Sequence, residues 1–284
     1  MHLYNDYLKE RYGCKVYRIA LDAGFSCPNI KSGGCIYCNS KGSRASYIDP
    51  ALSIQGQLET RIKYLKDTKS AKKFIAYFQA HTNTYAPVDK LKAVYDQIAG
   101  FNDIVGLSIG TRPDAIDREK IKLIASYKDR YEVWMEYGLQ SAHDRTLKWI
   151  NRGHTFSDFL NAVKLTKEFN IPVCTHVILG LPGETKEEMM VTARRLAELN
   201  VEGIKIHPLH ILKGSKLEEL YRKGEIRLLE QDEYVKLVRE FLGNLSPDII
   251  VHRLTGQGSG NDHIAPLWAL DKTSTINKIA KTIS

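Results

Sequence analysis

The chain has 284 residues, 43% hydrophobic and 26% charged, with a net charge of +8, a composition that suits an enzyme-sized globular unit with a large core and no need of disulfides. No apolar run approaches the ~18–20 residues of a membrane span, and charges interrupt MHLYNDYLKERYG where a secretion signal needs an apolar core, so the chain reads as cytoplasmic. The basic excess permits an acidic partner such as RNA, a nucleotide or a membrane surface and does not demand one.

The first strand candidate, Val16–Leu21, runs into the segment FSCPNIKSGGCIYCNSKG. Three of the five cysteines sit there as C-x7-C-x2-C: Cys27, Cys35 and Cys38. Cys14 and Cys174 lie apart. An odd cysteine count argues against a disulfide framework. Pro28, Gly33, Gly34 and Gly42 make this a loop that can fold back on itself. Three readings are open here: incidental cysteines, a structural zinc with a distant fourth ligand such as His81 or Cys14, or a [4Fe-4S] cluster on three thiolates with one iron left for a non-protein ligand.

A helix is predicted over about 51–66, then a strand at Phe74–Phe78 ending in YFQAHTNTYAP. Gln79 there offers oxygens that accept from an ammonium, and His81 reads equally as a solvated loop residue. A helix over 88–99 and a strand at Val105–Ile109 lead to GTRPDAID. Arg112, preceding Pro113, is biased away from helix, and Asp117 is the better candidate to cap the next helix.

The fourth strand, Val133–Tyr137, ends in WMEYGLQSAHDRTLKWINRGHTF. Period two places Glu136, Gly138 and Gln140 on one face. A carboxylate or an amide accepts from hydroxyls and ammonium, and the Arg152 guanidinium pairs with a carboxylate as a fork. Thr155 caps a helix over 156–169, and Thr185 with Glu188 forms a capping box for a helix to Leu199.

Between them, Val173–Leu179 puts His176, Ile178 and Gly180 on one face, with Cys174 pointing inward and inert. Ile204–Pro208 carries His207, with His210 close behind, a weak metal signal without carboxylates. Helices near 217–223 and 230–242 precede a strand at Ile249–His252. His252–Gly258 is read as the strand end and a Gly-rich loop over the substrate. Alternating strands and helices predict an α/β fold with parallel strands and the active site at their C-terminal ends.

The cysteine loop and these strand-end segments together resemble the radical SAM superfamily. Glu136-x-Gly-x-Gln-Ser followed by Arg152-Gly-His is similar to the Elongator catalytic subunit, and a similar Gln and Arg occur in oxygen-independent coproporphyrinogen oxidases. Gly13-Cys-Lys-Val, Phe25 to Asn29, Arg253 to Gly256 and Ala265-Pro-Leu-Trp268 resemble a bacterial radical SAM group of similar length. The resemblance implies a (β/α)6 partial TIM-type barrel over 1–228 with an extension over 229–284. It also implies a [4Fe-4S] cluster on Cys27, Cys35 and Cys38, and S-adenosylmethionine cleaved by one electron to a 5′-deoxyadenosyl radical that takes a substrate hydrogen.

By the same resemblance Tyr37, Ile178 and Leu179 flank the adenine. Gln79 stands where the methionine amino group is held, although the usual acidic residue is missing. Glu136, Gln140 and His176 approach the ribose and methionine, and Arg152 the carboxylate. An electron donor such as flavodoxin or ferredoxin is implied, with tRNA as the preferred substrate. A small metabolite, a tetrapyrrole or a peptide is the alternative, and a non-catalytic iron–sulfur sensor or zinc-containing binding protein stands behind both.

Overall fold

Runs rich in Val, Ile, Phe and Tyr become fully buried parallel strands when helices cover one face and a core fills the other. In the computed structural model, which describes residues 1–42, 44–256 and 262–283, the order opens with β1 (His2–Leu3), α1 (Tyr4–Tyr12), β2 (Val16–Leu21), α2 (Ile54–Lys69), β3 (Lys73–Phe78) and α3 (Val88–Tyr95). It continues with β4 (Ile104–Thr111), α4 (Arg118–Ala125), β5 (Glu132–Gln140), α5 (Asp144–Trp149), α6 (Phe156–Glu168), β6 (Val173–Leu179) and α7 (Lys186–Glu198). The last part holds β7 (Gly203–Pro208), β8 (Ile211–Leu212), α8 (Lys216–Arg222), α9 (Gln231–Gly243), β9 (Ile250–Arg253), β10 (His263–Ala265) and α10 (Lys272–Ile283).

Eight strands form one sheet in the order β1-β9-β7-β6-β5-β4-β3-β2, with every neighbouring pair parallel. β8 and β10 make a separate antiparallel ribbon. Strands far apart in the sheet nonetheless touch through their inward side chains. Lys205 on β7 donates to the Tyr77 hydroxyl on β3 at 3.0 Å, and Arg18 on β2 lies 3.4 Å from His252 on β9. The sheet is therefore curled into a half-barrel. The six strands β2 to β7 are the expected (β/α)6 core, and β9 and β1 extend it at one edge.

The outer core fills the space between sheet and helices, with Leu58, Phe74, Phe78, Leu91, Ile121, Phe159, Leu196 and Phe241 fully buried. Inside the barrel, α1 brings Tyr4 and Leu8 against Val16, Ile75, Trp134 and Cys174. This aromatic floor closes the end where the strands begin. β1 and its plugging helix escape the sequence reading, because two residues carry no period.

Helix starts follow their caps. Ser53 accepts from Gly56 N at 3.1 Å, so α2 begins after it. Asp117 caps α4, and the Thr155 and Thr185 capping boxes both form. The helix expected over 88–99 changes to a 3-10 turn at Asp96–Gly100, and α5 and α10 were not expected. No described helix is long and apolar enough to cross a membrane.

Candidate functional site

The cysteine loop follows β2 and lies over the C-terminal strand ends. Cys27 is extended, and a 3-10 turn over Pro28–Ser32 follows it. Gly33 and Gly34 then take left-handed conformations in succession, at φ 87° and 71°. Two such residues in a row need glycine, and they return the chain so that Cys35 and Cys38 face Cys27. Cys35 is buried, Cys27 half-buried and Cys38 exposed.

The segment after α5 clamps this loop. The Asn151 amide donates to the carbonyls of Ser32 and Gly34 at 2.9 and 2.7 Å. Asn29 donates to the Asn151 carbonyl at 2.5 Å, and Ile36 N to the Ile150 carbonyl at 3.1 Å. From the other side, Leu217 N at the start of α8 donates to the Ile36 carbonyl at 2.8 Å.

Two donors point at the Cys35 sulfur: Asn29 Nδ2 at 3.4 Å and Arg152 Nη1 at 3.5 Å. A hydrogen bond from Cys38, assisted by the Arg152 charge and opposed by burial, pulls the Cys35 thiol down to about 4. A thiol held as thiolate in a loop with aimed donors suits a metal or cluster ligand.

Sulfurs around one zinc ion sit about 3.8 Å apart, given Zn–S near 2.3 Å and tetrahedral geometry. Among the described residues, the one His/Cys/Asp/Glu trio whose ligand atoms lie within 4.8 Å of each other is Glu136, Cys174 and His176. The three loop sulfurs do not form such a group, although Cys35 and Cys38 are close enough to share a hydrogen bond. Cys14 precedes β2 whereas the loop follows it, a strand's length of about 20 Å away. His81 does lie beside the loop, with its ring against Gly42.

Arg152 is buried and anchored. Its Nε and Nη2 donate to the Gly138 carbonyl at 3.2 and 2.6 Å. Arg112 Nη1 holds the Arg152 carbonyl at 2.5 Å, and its own fork is occupied by Asp114 at 2.9 and 2.7 Å. Arg112 is thus a positioning residue. A side chain at 138 would meet Arg152 Nη2 and Gln140 Nε2, at 2.6 and 2.8 Å from its Cβ, and would displace the ends of both. Gln140 takes φ 78° where the register between β5 and β6 slips, which turns its amide toward Gly138 and Arg152. Such strain is held only where surrounding contacts enforce it. His154 Nε2 also reaches the Gly138 carbonyl at 3.1 Å.

The other expected residues fall into two groups. Gly138, Gln140, Arg152, Tyr37 and the cysteines gather at the loop, with Tyr37 and Ile178 packed against one apolar cluster. Gln79 is half-buried at the end of β3. Leu179 turns its side chain into the outer core, and its carbonyl accepts from Leu209 N at 3.1 Å. The space beside Gly180 is taken by the Leu229 side chain.

Glu136 and His176 lie one layer deeper, about 6.6 Å down the strands from Gly138 and Ile178. Glu136 is 0% exposed. It pairs with Arg18 and Lys205 and with His176 Nε2 at 2.8 Å. Burial opposes the Glu136 charge, but Arg18, Lys205 and His176 outweigh it and hold the carboxyl well below its usual range. Burial brings His176 down to about 4.

Sequence reasoning missed Asn29, Asn151, Arg18, Tyr77 and Lys205. For Arg18 and Lys205 a signal existed, since each is a lone charge inside an apolar strand run. Residues 257–258, read as part of a substrate-covering loop, lie outside the described residues. A hollow of about 650 Å³ lined by Arg11, Tyr12, Lys128, Arg130 and Glu132 opens at the opposite strand ends and shares no residue with this site.

Comparison with known proteins agrees with this geometry. The Radical SAM superfamily profile matches residues 27–196, and the Radical_SAM C-terminal domain profile matches 201–284. The protein MJ0486 of Methanocaldococcus jannaschii is 41% identical, over 99% of this chain and 88% of its own length. A tRNA uridine(34) acetyltransferase of the same organism is 26% identical over 47% of this chain, which spans only 25% of that relative. The structure of Elp3 from Methanocaldococcus infernus superposes with a TM-score of 0.70 at 18% identity, covering 94% of this chain and 63% of that one. With a profile matched across most of its length and a near full-length relative at this identity, the chain belongs to the radical SAM superfamily of enzymes.

Proposed function

We propose that this chain is a radical S-adenosylmethionine enzyme of the cytoplasm that modifies tRNA. The cofactor half of the reading rests on one observation: three cysteines on a clamped loop at the strand ends, with Arg152 and Asn29 aimed at the Cys35 sulfur. On this reading Cys27, Cys35 and Cys38 would hold a [4Fe-4S] cluster, which would supply the single electron for reductive cleavage of S-adenosylmethionine and hydrogen abstraction from substrate. The chain's own residues bind, orient and exclude water.

Residues 1–228 form the cofactor-holding core on this reading, and 229–284 an extension that packs on it and adds β9 to the sheet. Gln140 and Arg152 present an amide and a guanidinium to the methionine end of the cofactor. Gln79 faces its amino group from β3. Tyr37 and Ile178 bound the adenine, with only the backbone of Leu179 beside them. Glu136 and His176 complete the set from beneath, toward the ribose. A flavodoxin or ferredoxin is the electron donor.

The tRNA half is supported by similarity to tRNA uridine(34) acetyltransferases and by the net charge of +8. The test is anaerobic reconstitution with iron and sulfide, then dithionite, S-adenosylmethionine and an assay for 5′-deoxyadenosine. About four irons per chain with 5′-deoxyadenosine formed is the expected result. Unmodified tRNA from cells lacking this protein should raise the rate and return with a changed nucleoside mass. If cleavage occurs but tRNA changes neither, the substrate is a metabolite, a tetrapyrrole or a peptide. If the protein holds zinc, or iron without cleavage, the non-catalytic reading takes over.

Arg152→Ala should weaken S-adenosylmethionine binding on the order of tenfold or more, the value of a charge-assisted fork. Equilibrium dialysis with the reconstituted protein measures it. An unchanged affinity would confine Arg152 to holding the loop.

A further inference from the structure

Below the cysteine loop the barrel interior is built in layers. The floor is aromatic: the Tyr4 ring stacks on His252 with centroids 3.8 Å apart, and Trp134 meets both edge-on. Above it lies a charged layer drawn from six strands. Arg18 comes from β2, Tyr77 from β3, Glu136 from β5, His176 from β6, Lys205 from β7 and Arg253 from β9. Higher still, the His176 and His207 rings lie 6.0 Å apart, and His210 packs on His263 with centroids 5.1 Å apart.

The charges in this layer do not balance. Glu136 is the one carboxylate among the groups that act on Arg18, Lys205 and Arg253. Arg18 and Lys205 both bond it. The half-buried Arg253 side chain makes no hydrogen bond to another described residue, and desolvation with the nearby Arg18 depresses its guanidinium. Arg18 Nε is buried without an acceptor. An isolated buried cation is costly unless something of opposite charge meets it.

The layer is also reachable. Arg18 and His176 keep 20% and 19% of their side-chain surface although they point inward. The floor is sealed by Tyr4 and Trp134, both buried, so this surface opens away from it. Glu136, Cys174 and His176 bring ligand-type atoms within 4.8 Å of each other, yet a metal cation there would meet two cations already on the carboxylate. The field favours an anion.

We propose that this layer is an oxyanion subsite in which Arg18, Lys205 and Arg253, with His207 at the rim, receive a carboxylate or phosphate group of the substrate. The subsite would set how deep the substrate enters and which of its atoms stops beneath the cofactor loop. It does not depend on the substrate being RNA.

Lys205 supplies a second signature. Burial, with Arg18 beside it, brings its ammonium down to about 7, while Glu136 pulls the other way. Facing it are Arg18, Tyr77, Glu136, Cys174, His176, His207 and Arg253. An arriving oxyanion favours the charged lysine and raises that value. At pH 7.5, where much of Lys205 is neutral, binding should therefore take up a proton.

The test is calorimetric titration of the reconstituted protein, without RNA, with sodium acetate and separately with inorganic phosphate. Chloride keeps ionic strength constant, and two buffers of different ionisation enthalpy count protons. Saturable binding with proton uptake is expected. Tighter acetate points to a carboxylate-bearing substrate, tighter phosphate to a phosphorylated one. Arg253→Gln should weaken binding at least tenfold, and Arg253→Lys should retain most of it. His207→Gln, at the rim, should weaken it severalfold and serves if the arginine variants do not fold. The proposal is overturned if neither anion binds saturably into the tens of millimolar, or if the folded neutral variants bind as tightly as the parent.

Discussion

Cys35→Ala is expected to leave the barrel folded and to abolish cluster assembly, so that after anaerobic reconstitution the protein carries almost no iron and forms no 5′-deoxyadenosine. The sulfur removed is the one on which Asn29 and Arg152 converge, and two remaining thiolates cannot hold a cluster that also lends an iron to a cofactor. Cys174→Ala is the matched control. Cys174 sits in the barrel floor, where burial drives its thiol far up, and it should keep full iron. Iron and sulfide analysis with circular dichroism separates the two variants. Equal iron in parent and Cys35→Ala would mean that the ligands lie elsewhere.

The second large effect belongs to Glu136→Gln. The substitution preserves shape and removes the one charge that Arg18 and Lys205 share. Breaking a buried ion pair from one side costs about 3–5 kcal/mol, because the partner charges stay buried. Urea denaturation should show that loss near neutral pH.

The pH dependence has a definite sign. Lys205 has an ordinary value of 10.5 and is held near 7 in the fold, and it falls further once Glu136 is neutral. Across that window the unfolded chain binds more protons than the folded one, so stability rises with pH. The variant should be most impaired below pH 7 and recover toward pH 9. Adding Lys205→Met should restore part of the loss, as expected for residues in direct contact. A Glu136→Gln protein as stable as the parent across this range would show that the network does not hold the interior together.

The site divides sharply in how far it can be read from the chain. The cysteines, Gly138, Gln140 and Arg152 belong to short segments whose spacing carries the chemistry, and the fold brings them together at one end of the sheet. Asn29 and Asn151 are different. Each looks like an ordinary loop residue, and their joint clamp exists only because residues 29 and 151 become neighbours. Arg18, Glu136 and Lys205 occupy an intermediate position. Each is a lone charge in the middle of an apolar strand, and three such charges of mixed sign in one parallel sheet could have been paired in advance. The period-two argument does place Glu136, Gly138 and Gln140 inward, but it carries no information on depth. The layering that separates Glu136 from Arg152 comes from the barrel.

The sheet's edge pairing has a consequence for how the molecule is made. β1 pairs with β9, with His2 opposite Ile250. Residues 2–3 therefore have no partner in the sheet until residues 250–251 have been made. Until β9 emerges, α1 has no completed barrel to plug, and Tyr4 and Trp134 lack their stacking partner His252. Contacts this distant in sequence are slow to form and leave intermediates with exposed apolar surface. Completion of the barrel thus waits for the synthesis of β9. A bulky segment joined directly to β1 would press on that closing seam.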